Sequence, residues 1–107
     1  MQGRTPTKAE KKWMDDAVEI GCVVCRLEFQ IVSPAEIHHL EGKTKEGAHL
    51  RSIPLCPHHH RLGLRNDQVV SRHPHKQEFE RRYGTEEYLL ECAQRMVSAT
   101  RLAKAGL

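Results

Sequence analysis

Four residues constrain this chain more than any others: Cys22 and Cys25, then thirty residues, then Cys56 and His59, each pair separated by a gap of two. Zinc takes four thiolate or imidazole ligands at tetrahedral corners. A two-residue gap lets two side chains from one tight turn reach the same ion, so two such pairs fasten two distant segments together. The first pair reads as a knuckle after a helix. The second spans the end of a strand and the first turn of a helix, which together make a treble-clef arrangement. The binding energy of such a site, roughly 10–16 kcal/mol in peptides, is also folding energy. A staple suits this chain, whose 107 residues are 38% hydrophobic with few aromatics (Trp13, Phe29, Phe79, Tyr83 and Tyr88). Its length fits one domain over residues 1–107, with 1–7 as a flexible lead.

Other uses of these cysteines fit less well. The chain has no apolar run long enough to span a membrane, and its polar N-terminus does not read as a signal peptide. The expected compartment is a reducing cytosol. Disulfides are disfavoured there. A redox Cys-x-x-Cys leaves Cys56 and His59 without a role. A Cys2His2 finger would use His38, separated from Cys25 by twelve residues, but needs a second histidine three to five residues further on. Only the adjacent His39 and the distant His49 follow. Cys92 falls on the apolar side of a C-terminal helix and reads as core.

Periodicity places these motifs. Thr7-x-x-Glu10 has the form of a capping box, and Trp13, Ala17 and Ile20 recur at helical spacing up to Gly21, predicting a helix over 8–20. Residues 26–33 are ambiguous between strand and loop. Ile37-His38-His39-Leu40 and Ser52-Ile53-Pro54-Leu55 read as a hairpin around a polar, glycine-bounded loop. Pro57 starts a short helix that reaches Leu62, residues 63–71 are irregular, and 75–83 form a helix stopped by Gly84. Thr85 caps a last helix, with Glu86 and Glu87 in its first turn and Leu89, Ala93, Met96 and Val97 as its buried stripe.

Charge and histidine coincide. Between His38 and Lys76 seven bases face three acids, a local +4 in a chain of net +3, and all eight histidines lie in the same stretch. That concentration suits an anionic polymer. A solvated charged face would account for the arginines but not for the histidines. Neighbouring strand residues face opposite ways, so His38 and His39 can serve different partners. His60 lies about 100° around its helix from His59 and can leave the zinc to face the hairpin.

Ile37-His38-His39-Leu40 followed by Ile53-Pro54-Leu55-Cys56-Pro57-His58-His59-His60-Arg61 resembles the HNH endonucleases with a ββα-metal core. Phe79-Glu80-Arg81-Arg82-Tyr83-Gly84-Thr85-Glu86-Glu87 narrows the resemblance to the phage Ref-like, recombinase-dependent nucleases, over about Lys11 to Leu90. The implied fold is α+β: a small zinc-stapled treble-clef or ββα-metal core flanked by N- and C-terminal helices. The implied activity is hydrolysis of DNA phosphodiesters, together with a RecA-type recombinase filament as the implied partner. By position, His39 is the general base, a role that an imidazole near pKa 6.5 suits. His38 and His60 hold a catalytic divalent ion, Mg²⁺, Mn²⁺ or another first-row metal, with His73 as a further ligand and His75 its substitute. The family's middle residue is usually asparagine; the nearest match here is His49. Arg51, Arg61 and Arg65, with Lys43 and Lys45, are the expected DNA contacts, without base-specific readout. His58 receives no task.

Two other classes remain open. A non-catalytic zinc-bound treble-clef module, binding nucleic acid or protein, would need the Cys/His quartet but not His39. A metal-storage or sensing protein would use the histidines without phosphate chemistry.

Overall fold

The computed structural model describes residues 5–42 and 44–106. The described residues form an α+β fold of five α-helices around a two-stranded antiparallel sheet. Helix α1 (Lys8–Ile20) opens with the expected capping box: the Thr7 hydroxyl accepts from the Glu10 amide, and the Glu10 carboxylate accepts from the Thr7 amide. Both bonds satisfy amides that lack an intrahelical acceptor. The rest of the expected flexible lead, residues 1–4, lies outside the described residues.

Helix α2 (Val23–Phe29) overturns the reading of residues 26–29 as strand or loop. Cys22 acts as its N-cap, the sulfur accepting from the Cys25 amide at 3.4 Å, and Gln30 ends it in the left-handed conformation. A thiol is an uncommon cap, so the usual start signal was missing. The turn that presents both sulfurs is therefore also the first turn of a helix.

Strand β1 (Glu36–His39) pairs with β2 (Ser52–Leu55) in the register Glu36 with Leu55, Ile37 with Pro54, His38 with Ile53 and His39 with Ser52. The connection carries a 3-10 turn at Ala48–Leu50 that periodicity did not reveal. Helix α3 (Pro57–His60) is shorter than the expected reach to Leu62, with Arg61 as its C-cap. Helix α4 (Lys76–Tyr83) starts one residue inside its predicted span, and helix α5 (Glu86–Lys104) starts where predicted, Thr85 capping it through the Tyr88 amide.

The core lies where α1, β2 and α5 meet, with Phe79 and Tyr83 of α4. Trp13, Ala17 and Ile20 are buried against Ile53 and Leu55, and Leu89, Leu90, Ala93 and Val97 close the other side. Cys92 and Met96 pack partly buried against this cluster. Trp13 also donates its indole N–H to the carbonyl and hydroxyl oxygens of Ser52, each at 3.2 Å, which ties α1 to the start of β2. No described helix is long and apolar enough to cross a membrane.

Candidate metal centres and the histidine cleft

Two clusters of potential metal ligands form within this frame. Cys22, Cys25, Cys56 and His59 converge as predicted, all buried. Cys22 and Cys25 come from the start of α2, and Cys56 and His59 from the start of α3. His59 aims Nδ1 at the sulfurs of Cys56, Cys25 and Cys22, at 3.2, 3.6 and 3.7 Å, and the Cys25 and Cys56 sulfurs lie 3.9 Å apart. A tetrahedral zinc with ordinary bond lengths has ligand–ligand edges of about 3.6 Å (S to N) and 3.8 Å (S to S). These four separations are close to the edges of such a tetrahedron, so the cluster fits a structural metal such as zinc. Among themselves the thiols cannot all ionise. The neighbouring Cys56 and burial push the Cys22 thiol up, burial pushes Cys25 up, and the bonds from Cys22 and His59 pull Cys56 down to about 3. A divalent cation would remove that conflict, since all three could then bind it as thiolates.

The second cluster is His38 from β1, His60 from α3 and His73 from the loop before α4, with one ligand atom of each within 4.8 Å of the others. Their ring centroids form a near-equilateral triangle of 5.1, 5.2 and 5.3 Å. Burial lowers the pKa of both His60 and His73, favouring the neutral imidazole that a metal needs. His75, the alternative to His73, is turned away and donates to the Gly63 carbonyl oxygen at 3.3 Å.

Two carboxylates that the sequence reading missed hold this triangle. Glu86, at the start of α5, is buried and sits 2.6 Å from Nε2 of His38. Arg72 donates to the same oxygen at 2.8 Å. Burial alone would raise the Glu86 pKa, but the bonds from His38 and Arg72 outweigh it and hold the carboxyl at about 2. Glu36 stands 2.7 Å from Nδ1 of His60 and accepts from Arg61 at 2.6 Å. Nδ1 of His38 and Nε2 of His60 are the ring nitrogens these carboxylates do not occupy. A carboxylate behind a ligating histidine fixes its ring and tautomer. Glu86 was legible only as a charge suited to a helix dipole, because nothing local links it to a histidine 48 residues earlier.

His39 parts from His38, as strand alternation predicts, and its Nε2 lies 2.9 Å from Nδ1 of His49. His49 is buried in the 3-10 turn, and its carbonyl accepts from the Ser52 hydroxyl at 2.7 Å. The chain Trp13–Ser52–His49–His39 therefore runs from the core to the cleft. That cleft, about 430 Å³, is lined by His38, His39, His60, Arg72 and His73 with Ile37, Leu40 and Gly42.

The expected DNA-contacting cations divide. Arg51 is ion-paired with Glu41 and Glu87, and Arg61 with Glu36. Arg65 is exposed and makes no ion pair among the described residues, Lys45 is exposed, and Lys43 lies outside the described residues. His58 is exposed on α3, its carbonyl accepting from the Ser71 hydroxyl.

The sequence model of a protein family, described as recombination enhancement, RecA-dependent nuclease, matches residues 6–98.

Proposed function

The chain belongs to this family of RecA-dependent nucleases, and from that premise we propose that it is a metal-dependent endonuclease of the HNH type, its ββα-metal core held by a structural zinc in treble-clef form. The observation that carries the reading is one cleft lined both by the His38–His60–His73 triangle and by His39. A phosphodiester seated there would meet both groups at once.

The quartet of Cys22, Cys25, Cys56 and His59 would hold zinc and fix α2 against α3. His38, His60 and His73 would hold the second ion; three imidazoles suit a first-row transition metal better than Mg²⁺, although water and phosphate can complete a Mg²⁺ shell. When bound, that ion polarises the scissile phosphate and stabilises charge on the departing 3′ oxygen. His39 acts as general base, taking a proton from the water that attacks phosphorus. His49 fills the place where the resemblance implies asparagine, holding the His39 ring through Nε2 and so leaving proton transfer to the other nitrogen. Glu86 and Glu36 keep His38 and His60 turned toward the shared centre. Arg51, half-buried, and Arg61, exposed, would exchange carboxylate partners for DNA phosphates, with Lys45 adding charge. RecA and DNA are the partners the family name implies.

The test is cleavage of supercoiled plasmid with Mg²⁺ or Mn²⁺, with and without a RecA filament on single-stranded DNA. Wild type is expected to cut, and His39→Ala to be slower by about 10²–10⁴-fold with unchanged zinc content. Cleavage that persists at full rate in His39→Ala refutes the base. No cleavage in any condition leaves the non-catalytic treble-clef module in its place.

A further inference from the structure

A second cleft, about 380 Å³, lies beside the histidine site and is lined by Arg65, Pro74, His75, Lys76, Gln77, Glu78 and Arg81. Three cations meet a single carboxylate there, Glu78, which pairs with Arg81 at 2.7 Å. Lys76, half exposed, has only a distant carboxylate, 3.9 Å away on Glu86. Arg65 has no ion pair among the described residues.

The walls of this cleft are held in place. His75 donates to the Gly63 carbonyl oxygen, Arg82 donates to the carbonyl oxygens of Asn66 and Asp67, and the Tyr83 hydroxyl accepts from the Val70 amide at 3.0 Å. These bonds fix the 63–70 loop, which carries Arg65, against α4, which carries Lys76 and Arg81. A site built in advance avoids the ordering cost of binding. The start of α4 also lines it, with no side-chain cap from His75, so the positive end of that helix adds to the field.

We infer that this cleft seats a backbone phosphate of the nucleic acid being cut, away from the scissile phosphate. The inference rests on the nuclease reading and extends it. His73 belongs to the triangle, and Pro74 immediately after it lines the cleft. Three residues of chain span at most about 11 Å, so Lys76 lies close to His73. The seated phosphate is therefore a near neighbour of the scissile one along the backbone. The contact is electrostatic and reads no sequence.

The test uses the full zinc-loaded chain with no second metal added and a fluorescein-labelled 20-base-pair duplex. Anisotropy gives affinity at a series of salt concentrations for wild type, Arg65→Gln/Arg81→Gln and Arg95→Gln. Each phosphate contact contributes about 0.9 to the slope of log K against log salt. The double variant is expected to lose about one unit of slope, while Arg95→Gln, exposed on α5, matches wild type. A double variant with the wild-type slope and intact zinc content overturns the cleft but not the nuclease, whose plasmid cleavage is measured separately. An equal loss in Arg95→Gln overturns the cleft as well, because the effect would then be one of net charge. A wild type that neither binds duplex nor cuts plasmid overturns both readings.

Discussion

Removing the proposed zinc from the Cys22–Cys25–Cys56–His59 quartet should unfold the chain. Three of its buried apolar side chains are these cysteines, and the quartet joins the starts of α2 and α3. A structural zinc contributes about 10–16 kcal/mol in peptides, whereas a whole domain is stable by only about 5–15 kcal/mol. Loss of even a third of the metal's contribution, about 5 kcal/mol, would lower Tm by roughly 20–40 °C in a domain this size. The assay follows helix content by circular dichroism and metal by elemental analysis, before and after a strong chelator, in wild type and Cys25→Ser. Wild type should hold one ion tightly enough to survive dialysis and lose its cooperative melt on chelation. Cys25→Ser should retain none at that site. Reductant separates the metal from a Cys25–Cys56 disulfide, since their sulfurs lie only 3.9 Å apart: it leaves a zinc site intact and opens a disulfide. A chelated chain that melts within a few degrees of the untreated one, or that reductant alone destabilises, would refute the reasoning.

Three further perturbations probe the neighbouring geometry. His49→Asn should keep most of the cleavage rate, because the amide can also hold His39, while His49→Ala should lose roughly tenfold, a size typical of a lost orienting partner; equal rates in both variants would deny His49 its positioning role. Glu86→Gln should cost on the order of 3 kcal/mol at pH 7, from a carboxyl held at about 2 instead of 4.5. The sign is that of a depressed carboxyl: its contribution is complete above pH 4.5 and lost as pH falls toward 2. In urea titrations at saturating zinc, the gap between variant and wild type should therefore stay level from pH 7 to 5 and narrow below 4.5; a gap that closes above pH 5 would exclude the carboxyl as its source. Gly21→Ala should cost about 2 kcal/mol or more, because its φ is +81° and a Cβ would stand 2.8 Å from the Ser33 carbonyl oxygen. A change under about 0.5 kcal/mol in the same titrations would contradict that.

What could be read in advance follows from how local each signal is. The capping box at Thr7, the cap at Thr85 and the pattern of Trp13, Ala17 and Ile20 are short-range and reappear in the fold. The quartet was legible because ligand spacing is itself a geometric statement about one ion. Helix α2 was not, since its cap is a cysteine that the metal reading had already claimed, and the 3-10 turn at Ala48–Leu50 carries no periodic signature. His38, His39 and His60 could be sorted by strand and helix periodicity. His73 was preferred to His75 only by the resemblance; the fold turns the first toward the triangle and the second toward Gly63.

Glu86 shows where that limit lies and why it matters. As the first residue of α5 it suits the helix dipole, a sufficient local explanation that gives no reason to look further. In the fold the same carboxylate is buried, meets His38, Arg72 and, more distantly, Lys76, and so ties α5 to β1 and to the loop before α4. A buried carboxylate with these partners is costly to leave unpaired, so the packing of α5 and the orientation of His38 depend on one another. A substitution deep in the α5 interface, such as one at Leu89, should therefore disturb the histidine triangle as well as the core. The C-terminal helix is thus part of what positions the candidate site, although none of its residues lines the histidine cleft.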